Sequence, residues 1–252
     1  MLVLVTRPQA QAAAWVAQLA ARGIDAQALP LIDIAAPADA SAVEAAWRAL
    51  PACRLVVFVS PNAADRFFAA RPEGDGWPAD VRAAAVGPGT AQWLREHGVP
   101  AEAVLEPAAD AAQFDSESLW QQLKDEEWAG ATVLIVRGDG GRPWLADTLR
   151  AHGAQVQFVS AYRRSAPQFD AARRRLLDAA LAQPAQHLWF FSSAEAIDHL
   201  MAARPAAQWH DAQALATHPR IAERARERGF TRVHACRPTL DAVVACIQSI
   251  AP

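Results

Sequence analysis

Leu2-Val3-Leu4-Val5-Thr6-Arg7-Pro8 opens the chain with four apolar residues, a hydroxyl, a cation and a proline. An apolar run without polar alternation suits a strand covered on both faces. Pro8 suits the first turn of a helix, which continues through Ala21 and stops at Gly23. The same grammar returns at Val133-Leu134-Ile135-Val136, followed by Arg137-Gly138-Asp139-Gly140-Gly141-Arg142-Pro143, a helix through Leu149, and Gly153.

Two further stretches repeat in the same way. Leu55-Val56-Val57-Phe58-Val59 leads into Ser60-Pro61-Asn62-Ala63, and His187-Leu188-Trp189-Phe190-Phe191 leads into Ser192-Ser193-Ala194-Glu195, each with a hydroxyl where a helix N-cap is expected. Val86-Gly87-Pro88-Gly89-Thr90-Ala91 is matched by Thr217-His218-Pro219-Arg220-Ile221-Ala222. Arg7 and Arg137 lie 130 residues apart, Ser60 and Ser192 132 apart, and Pro88 and Pro219 131 apart. Offsets this close imply an internal duplication, with a period too long for a solenoid, and therefore two domains.

Strands are expected near residues 2–6, 25–29, 55–59, 82–86, 102–105, 132–136, 155–159, 187–191, 213–217 and 231–235, about five per unit, with helices as crossovers. The class is doubly wound α/β with parallel sheets. In such sheets ligands bind beyond the carboxyl ends of the strands, where Thr6-Arg7, Ser60-Asn62, Gly87-Thr90, Arg137-Gly138 and Ser192-Ser193 fall.

Composition narrows the partners. The 252 residues carry 24 Lys plus Arg against 27 Asp plus Glu, a net charge of −3, so no broad cationic field exists for nucleic acid or an acidic membrane. No apolar run approaches the length of a membrane span, and the opening has neither the basic start nor the cleavage site of a signal peptide. Cys53, Cys236 and Cys246 show no CxxC spacing and sit in apolar surroundings, as reduced core thiols of a cytoplasmic protein do.

Gly87-Pro88-Gly89-Thr90 offers backbone N–H groups and a hydroxyl at a helix start, suited to a carboxylate or phosphate, though such turns are also common punctuation. It lacks the third glycine of a dinucleotide fingerprint, so no nicotinamide cofactor is expected. Arg137-Gly138-Asp139-Gly140-Gly141-Arg142 places two guanidiniums around flexible backbone without the Gly-Lys-Ser/Thr of a P-loop, and resembles an anion cradle. Tyr162 is the only tyrosine beside 9 Trp and 9 Phe, and stands just after a strand. A phenol can lend a proton at neutral pH, though a lone tyrosine beside a strand is more often packing. The seven histidines show no metal-ligand spacing, and no metal site is assigned. No GxSxG elbow is present, which disfavours hydrolytic acyl transfer. Arg173-Arg174-Arg175 and the arginines from Arg220 to Arg228 read as solvated helix faces.

Over nearly its whole length the chain resembles the uroporphyrinogen-III synthases. The likeness rests on Val5-Thr6-Arg7-Pro8, Phe58-Val59-Ser60-Pro61-Asn62-Ala63, Val86-Gly87-Pro88-Gly89-Thr90-Ala91, Val136-Arg137-Gly138 with Gly141-Arg142, Tyr162-Arg163-Arg164 and Phe191-Ser192-Ser193, in that order. It implies two flavodoxin-like α/β domains joined by a two-stranded connector, near Leu31 to Ile34 and Ser160 to Arg163. The first domain would be discontinuous, 1–34 plus 164–252, and the second would span 35–160. The cleft between them would be the active site.

The resemblance further implies a small-molecule substrate, hydroxymethylbilane, a linear tetrapyrrole bearing many carboxylates. It would lose its hydroxyl as water, invert its terminal pyrrole ring and close the macrocycle in haem biosynthesis. Neither cofactor nor metal is implied, and a monomer is expected. Tyr162 matches the family's functional tyrosine and becomes the candidate proton donor. Arg7, Ser60, Asn62, Gly87, Thr90, Arg137, Gly138, Arg142, Ser192, Ser193, Thr217 and His218 become candidate substrate contacts, so that local donors rather than net charge hold the polyacid. One departure stands out. Where a second Gly-Pro-x-Thr turn is expected, His218 replaces the glycine and Ile221 the threonine. Thr217, His218 or Arg220 then takes over a carboxylate contact, or binding there is weaker, or the chain is a non-catalytic two-domain tetrapyrrole-binding or regulatory module. Substitution of the contact is the preferred reading.

Overall fold

Apolar strands fold into sheets here because helices cover both of their faces. The protein is described over residues 1–250 by a computed structural model. The chain opens with β1 (Leu2–Val5), α1 (Gln9–Ala20) and β2 (Ala26–Ala28) and passes through β3 (Asp33–Ala35) into α2 (Ala40–Arg48), β4 (Leu55–Phe58) and α3 (Pro61–Phe68). There follow β5 (Arg82–Ala85), α4 (Pro88–Glu96), β6 (Val104–Leu105), α5 (Ser116–Leu123), β7 (Thr132–Gly138), α6 (Trp144–Ala151) and the long β8 (Gln155–Ser165). The chain ends with α7 (Ala171–Ala182), β9 (His187–Phe191), α8 (Ala194–Ala203), β10 (Gln213–Ala216), α9 (Pro219–Glu227), β11 (Arg232–Ala235) and α10 (Leu240–Ile250).

Two compact units result, one made of Met1–Asp33 with the chain from Ser165 onward, the other of Ile34–Arg164. The first holds the sheet β11-β10-β9-β1-β2, parallel at every pairing. The second holds the parallel strands β8-β7-β4-β5-β6, with β3 flanking β8.

In the second unit the two faces of β4 separate cleanly. Val56 and Phe58 join a core with Val43 and Trp47 of α2, Ala63 and Phe67 of α3 and Leu94 of α4, while Leu55 and Val57 join another with Leu119 and Leu123 of α5 and Leu145 and Leu149 of α6. All four are fully buried, and each large side chain removed from water contributes about 1.5–3 kcal/mol. In the first unit Val3, Val5, Leu188 and Phe190 pack on α1 and α10. Trp189 meets Trp209 edge-on at 5.7 Å, and Phe191 meets Phe230 likewise.

Ten of the eleven strands lie where the apolar runs place them. Strand β6 shrinks to two residues because Ala101–Ala103 wind into a 3-10 turn. The additional strand is β3. Strand β8 runs on to Ser165, so Tyr162 lies within a strand rather than after one. The cysteines are free thiols, Cys53 buried and Cys236 and Cys246 half-buried against the first unit's core. Among the described residues no helix is long and apolar enough to cross a membrane, and no three His, Cys, Asp or Glu side chains cluster as a metal would need.

Candidate active site

Parallel strands end on a common edge, and Tyr162 is brought to that edge of the second unit by a fault in the ladder. Arg137 pairs with Ser160, but the next residue, Gly138, pairs with Tyr162, so Ala161 is an extra residue in β8. A bulge of this kind re-aims the side chain after it. Phe158 packs on the α5–α6 face, whereas Val159, Ala161 and Tyr162 all lie in the core on the α2–α4 face. Strict alternation would have sent Tyr162 to the opposite side.

The ring rests on Gly138. A Cβ at that position would stand 3.0 Å from both Cε2 and Cζ of Tyr162, tighter than most side-chain contacts, so the ring would have to give by a few tenths of an ångström. Tyr162 is only 4% exposed, and its hydroxyl lies 3.1 Å from Ser60 Oγ. Ser60 is the N-cap of α3, with extended backbone and its Oγ accepting the Ala63 N–H at 3.1 Å. Ser60 and Gly138, expected from the sequence to contact substrate, therefore hold the tyrosine in place. Asn62, in the first turn of α3, hydrogen-bonds to no other described residue through its side chain and stays free for a ligand.

Arg7, two residues past β1, and Arg137, within the last two residues of β7 rather than after it, share an environment. Arg137 lies over Phe158, with its Cζ 3.9 Å from the ring centroid. Arg7 lies over Trp15 at 5.0 Å and Phe190 at 5.8 Å, and donates to Gln11 Oε1 at 3.3 Å. In both, Nε is buried without a hydrogen bond among the described residues. Neither has an ion pair there. Burial pushes the Arg7 guanidinium down to about 10, which still leaves it charged at neutral pH. Arg142 differs, since Glu117 grips it at 2.5 and 2.8 Å and raises its basicity further. Beside Arg137 a cavity of about 110 Å³ is lined by Ser116, Gly140, Gly141, Arg142 and Phe158. A carboxylate entering it meets one unpaired guanidinium and one already neutralised.

The remaining candidates lie at helix starts, where unpaired N–H groups favour anions. In the second unit Gly87 caps α4 and Thr90 is buried in its first turn. In the first unit Ser193 caps α8 without using its hydroxyl, so Ser192 and Ser193 keep both hydroxyls clear of other described residues. Thr217, 5% exposed, precedes His218, the N-cap of α9.

The altered turn at His218 keeps its architecture. Gly87 has φ −169° and ψ 166°, and His218 has φ −157° and ψ 144°, an extended backbone that any residue adopts. Glycine is favoured at 87 for another reason, because a Cβ there would stand 3.3 Å from Phe114 Cβ. The imidazole itself completes the cap, with Nδ1 accepting the Arg220 N–H at 3.1 Å. The groups that sequence reasoning missed are Phe158, Trp15 and Phe190 as platforms for the arginines and Glu117 as the partner of Arg142. None carries a local motif, and each becomes visible only once strands are paired.

The chain is similar to known proteins over most of its length. A family model described as uroporphyrinogen-III synthase HemD matches residues 13–245. The uroporphyrinogen-III synthase of Salmonella typhimurium is 34% identical over 178 residues, 70% of each chain, and that of Escherichia coli is 32% identical over 177 residues, again 70% of each. Among solved structures, the synthetase of Helicobacter pylori superposes with a TM-score of 0.61 at 14% identity over 99% of both chains. A mutant synthase of Thermus thermophilus gives 0.60 at 20% identity over 99% of this chain and 98% of the other. At such identities the structures speak for the fold. With the family model spanning nearly all of the chain, and relatives above 30% identity aligned over more than two thirds of it, the chain belongs to the uroporphyrinogen-III synthase family.

Proposed function

We propose that Tyr162 is the proton donor of this chain's reaction and that the strand edges around it hold the carboxylates of the substrate. As a member of its family the chain is a cyclising lyase of tetrapyrrole biosynthesis. Its substrate in this reading is hydroxymethylbilane. A pyrrole nitrogen can push out the terminal hydroxyl once that oxygen is protonated, and the electrophile left behind is attacked by the far ring, which inverts through a spiro intermediate before the macrocycle closes. No electron is gained or lost overall, so no cofactor enters the scheme.

One observation carries the assignment. The Tyr162 hydroxyl is fixed at 3.1 Å by Ser60 and seated on Gly138, on the same strand edge as the unpaired Arg137. A screened phenol gives its proton to a bound group rather than to water. Arg137 and, in the first unit, Arg7 are proposed to pair with substrate carboxylates. Asn62, Thr90 and the helix N-termini at Gly87, Ser193 and His218 supply uncharged donors, with Ser192 and Thr217 beside them. Arg142 contributes only where a ligand competes with Glu117.

The two units are read as copies of one ancestral flavodoxin-like domain. Strand orders support this: the first unit reads second-first-third-fourth-fifth from β1, and the second, with β3 set aside, reads the same when numbering starts at β7 and wraps from β8 back to β4. β3 and the end of β8 would then be the connector. The chain is taken to act as a cytoplasmic monomer. Met1 is the only strongly exposed large apolar side chain among the described residues, and so no broad apolar face calls for a partner. The test is to supply hydroxymethylbilane and separate the product isomers. The ring-inverted isomer is expected to outrun the uninverted one that forms spontaneously, and a product containing only the uninverted ring overturns the proposal. The non-catalytic reading loses its main ground with the intact cap at His218.

A further inference from the structure

We infer that Ser60 is a positioning residue for the proton transfer, donating its hydroxyl hydrogen to the Tyr162 oxygen so that the tyrosine's own proton faces the substrate; this rests on Tyr162 being the donor. The argument is an inventory of one hydroxyl. Ser60 Oγ has two lone pairs and one hydrogen. The Ala63 N–H occupies one lone pair at 3.1 Å, which fixes the oxygen at the start of α3. The other contact is Tyr162 OH at 3.1 Å. Either oxygen can donate across that gap. If Tyr162 donates, its proton is directed at Ser60 and is lost to catalysis. If Ser60 donates, the phenol proton is free to leave.

The second arrangement gains strength during the reaction. The Tyr162 O–H bond breaks as its proton bonds to the substrate's hydroxyl oxygen. The carbon–oxygen bond breaks with its electron pair on that oxygen, and water departs. Charge accumulates on the phenolate, and the hydrogen bond from Ser60 becomes charge-assisted and shorter. An interaction that tightens toward the transition state raises kcat rather than binding. The phenolate regains its proton when the pyrrole carbon that forms the closing bond sheds its hydrogen, so the enzyme ends as it began.

Capping and donating are separable by substitution. Ser60→Asp keeps a strong N-cap, yet a carboxylate can only accept and opposes a neighbouring phenolate. Ser60→Thr keeps both the cap and the donor. The expected result is wild-type melting for both, a kcat about tenfold to a hundredfold lower for Ser60→Asp with KM little changed, and recovery in Ser60→Thr. In a Tyr162→Phe background, Ser60→Asp should lower kcat no further. Ser60→Gly, in which the cap is weakened only slightly, provides the same comparison if either variant melts early. A fully active Ser60→Asp, or a loss of equal size with and without the tyrosine hydroxyl, overturns the inference. Full kcat in Tyr162→Phe alone overturns the tyrosine assignment itself, and this inference with it.

Discussion

Gly138→Ala tests the seat of the tyrosine with a single methyl group. The added Cβ would lie 3.0 Å from Cε2 and Cζ of Tyr162, where ordinary contacts begin at 3.4 Å, and 3.4 Å from the hydroxyl oxygen. The ring must therefore retreat by roughly half an ångström, inside a core packed too densely to absorb it freely. The hydroxyl moves with the ring, and its 3.1 Å contact to Ser60 lengthens toward the limit of a hydrogen bond. Overpacking of this kind costs about 1–3 kcal/mol, or a melting point lower by roughly 2–10 °C for a chain this size. Misplacing a reacting group by up to an ångström lowers kcat by as much as about a hundredfold. The assay is turnover of hydroxymethylbilane by isomer separation, beside a thermal melt. Repeating the substitution in Tyr162→Phe separates the two effects, because the phenyl ring keeps the clashing atoms and loses the acid. The stability loss should persist there while the kinetic loss disappears. Wild-type kcat and melting in Gly138→Ala would refute the packing argument.

Arg137→Ala should raise KM about tenfold or more with a smaller change in kcat, since a carboxylate held equally in ground and transition states contributes uniform binding. Arg137→Lys should fall between, as an ammonium keeps the charge but not the guanidinium's contact with Phe158. Arg142→Ala should move KM less than Arg137→Ala, because Glu117 already neutralises Arg142; equal effects in titrated KM would show the ion pair opening for substrate. Glu126 is held below the usual carboxylate range chiefly by Arg82 and then by Arg54. Its stabilisation is complete above the unfolded carboxylate range and fades as pH falls through the lower folded value. Glu126→Gln should thus cost about 1 kcal/mol at neutral pH and flatten the decline in melting temperature between roughly pH 5 and 3. Burial first, and the neighbouring Cys246 second, push the Cys236 thiol up to about 12, so native protein at pH 8 should react with iodoacetamide far more slowly at that residue than unfolded protein, as peptide mass mapping would report.

The framework was legible because its signals are local. Leu55 through Phe58 read as a strand covered on both faces, and the two cores that receive alternate residues explain the missing polar alternation. Arg7 and Arg137 could be paired across the repeat from spacing alone. The tyrosine's surroundings were not legible. Ser60 and Tyr162 stand 102 positions apart, and their contact depends on the extra residue at Ala161, which nothing in Ser160-Ala161-Tyr162 announces. A bulge is a property of two strands in register, and single-strand periodicity contains no trace of it. Gly138 illustrates the same limit, since its φ is not left-handed and its requirement for glycine comes entirely from a ring belonging to another strand. The turn at His218 raised doubt for the converse reason, because residue identity changed where backbone conformation did not.

A chain of net charge −3 that takes a polycarboxylate has to separate its cations from its anions. Many of its arginines do not help. Arg22, Arg48, Arg54, Arg82, Arg95, Arg150, Arg204, Arg224 and Arg228 are each within 4 Å of an acid, largely on exposed faces where such pairs contribute little and leave no surplus positive charge. Arg7 and Arg137 have no ion pair among the described residues and rest on aromatic rings instead, whereas Arg54 and Arg150 combine a ring contact with an acid. A ring face attracts a guanidinium by about 0.5–2 kcal/mol without neutralising it, so the charge stays available to a ligand while the side chain is held still. Desolvation opposes the arrangement, as the lowered basicity of Arg7 records, and an arriving carboxylate relieves that penalty. In the proposed function, anion binding therefore follows from which cations are left uncompensated at the carboxyl ends of the strands, and the net charge of the chain is a poor guide to it.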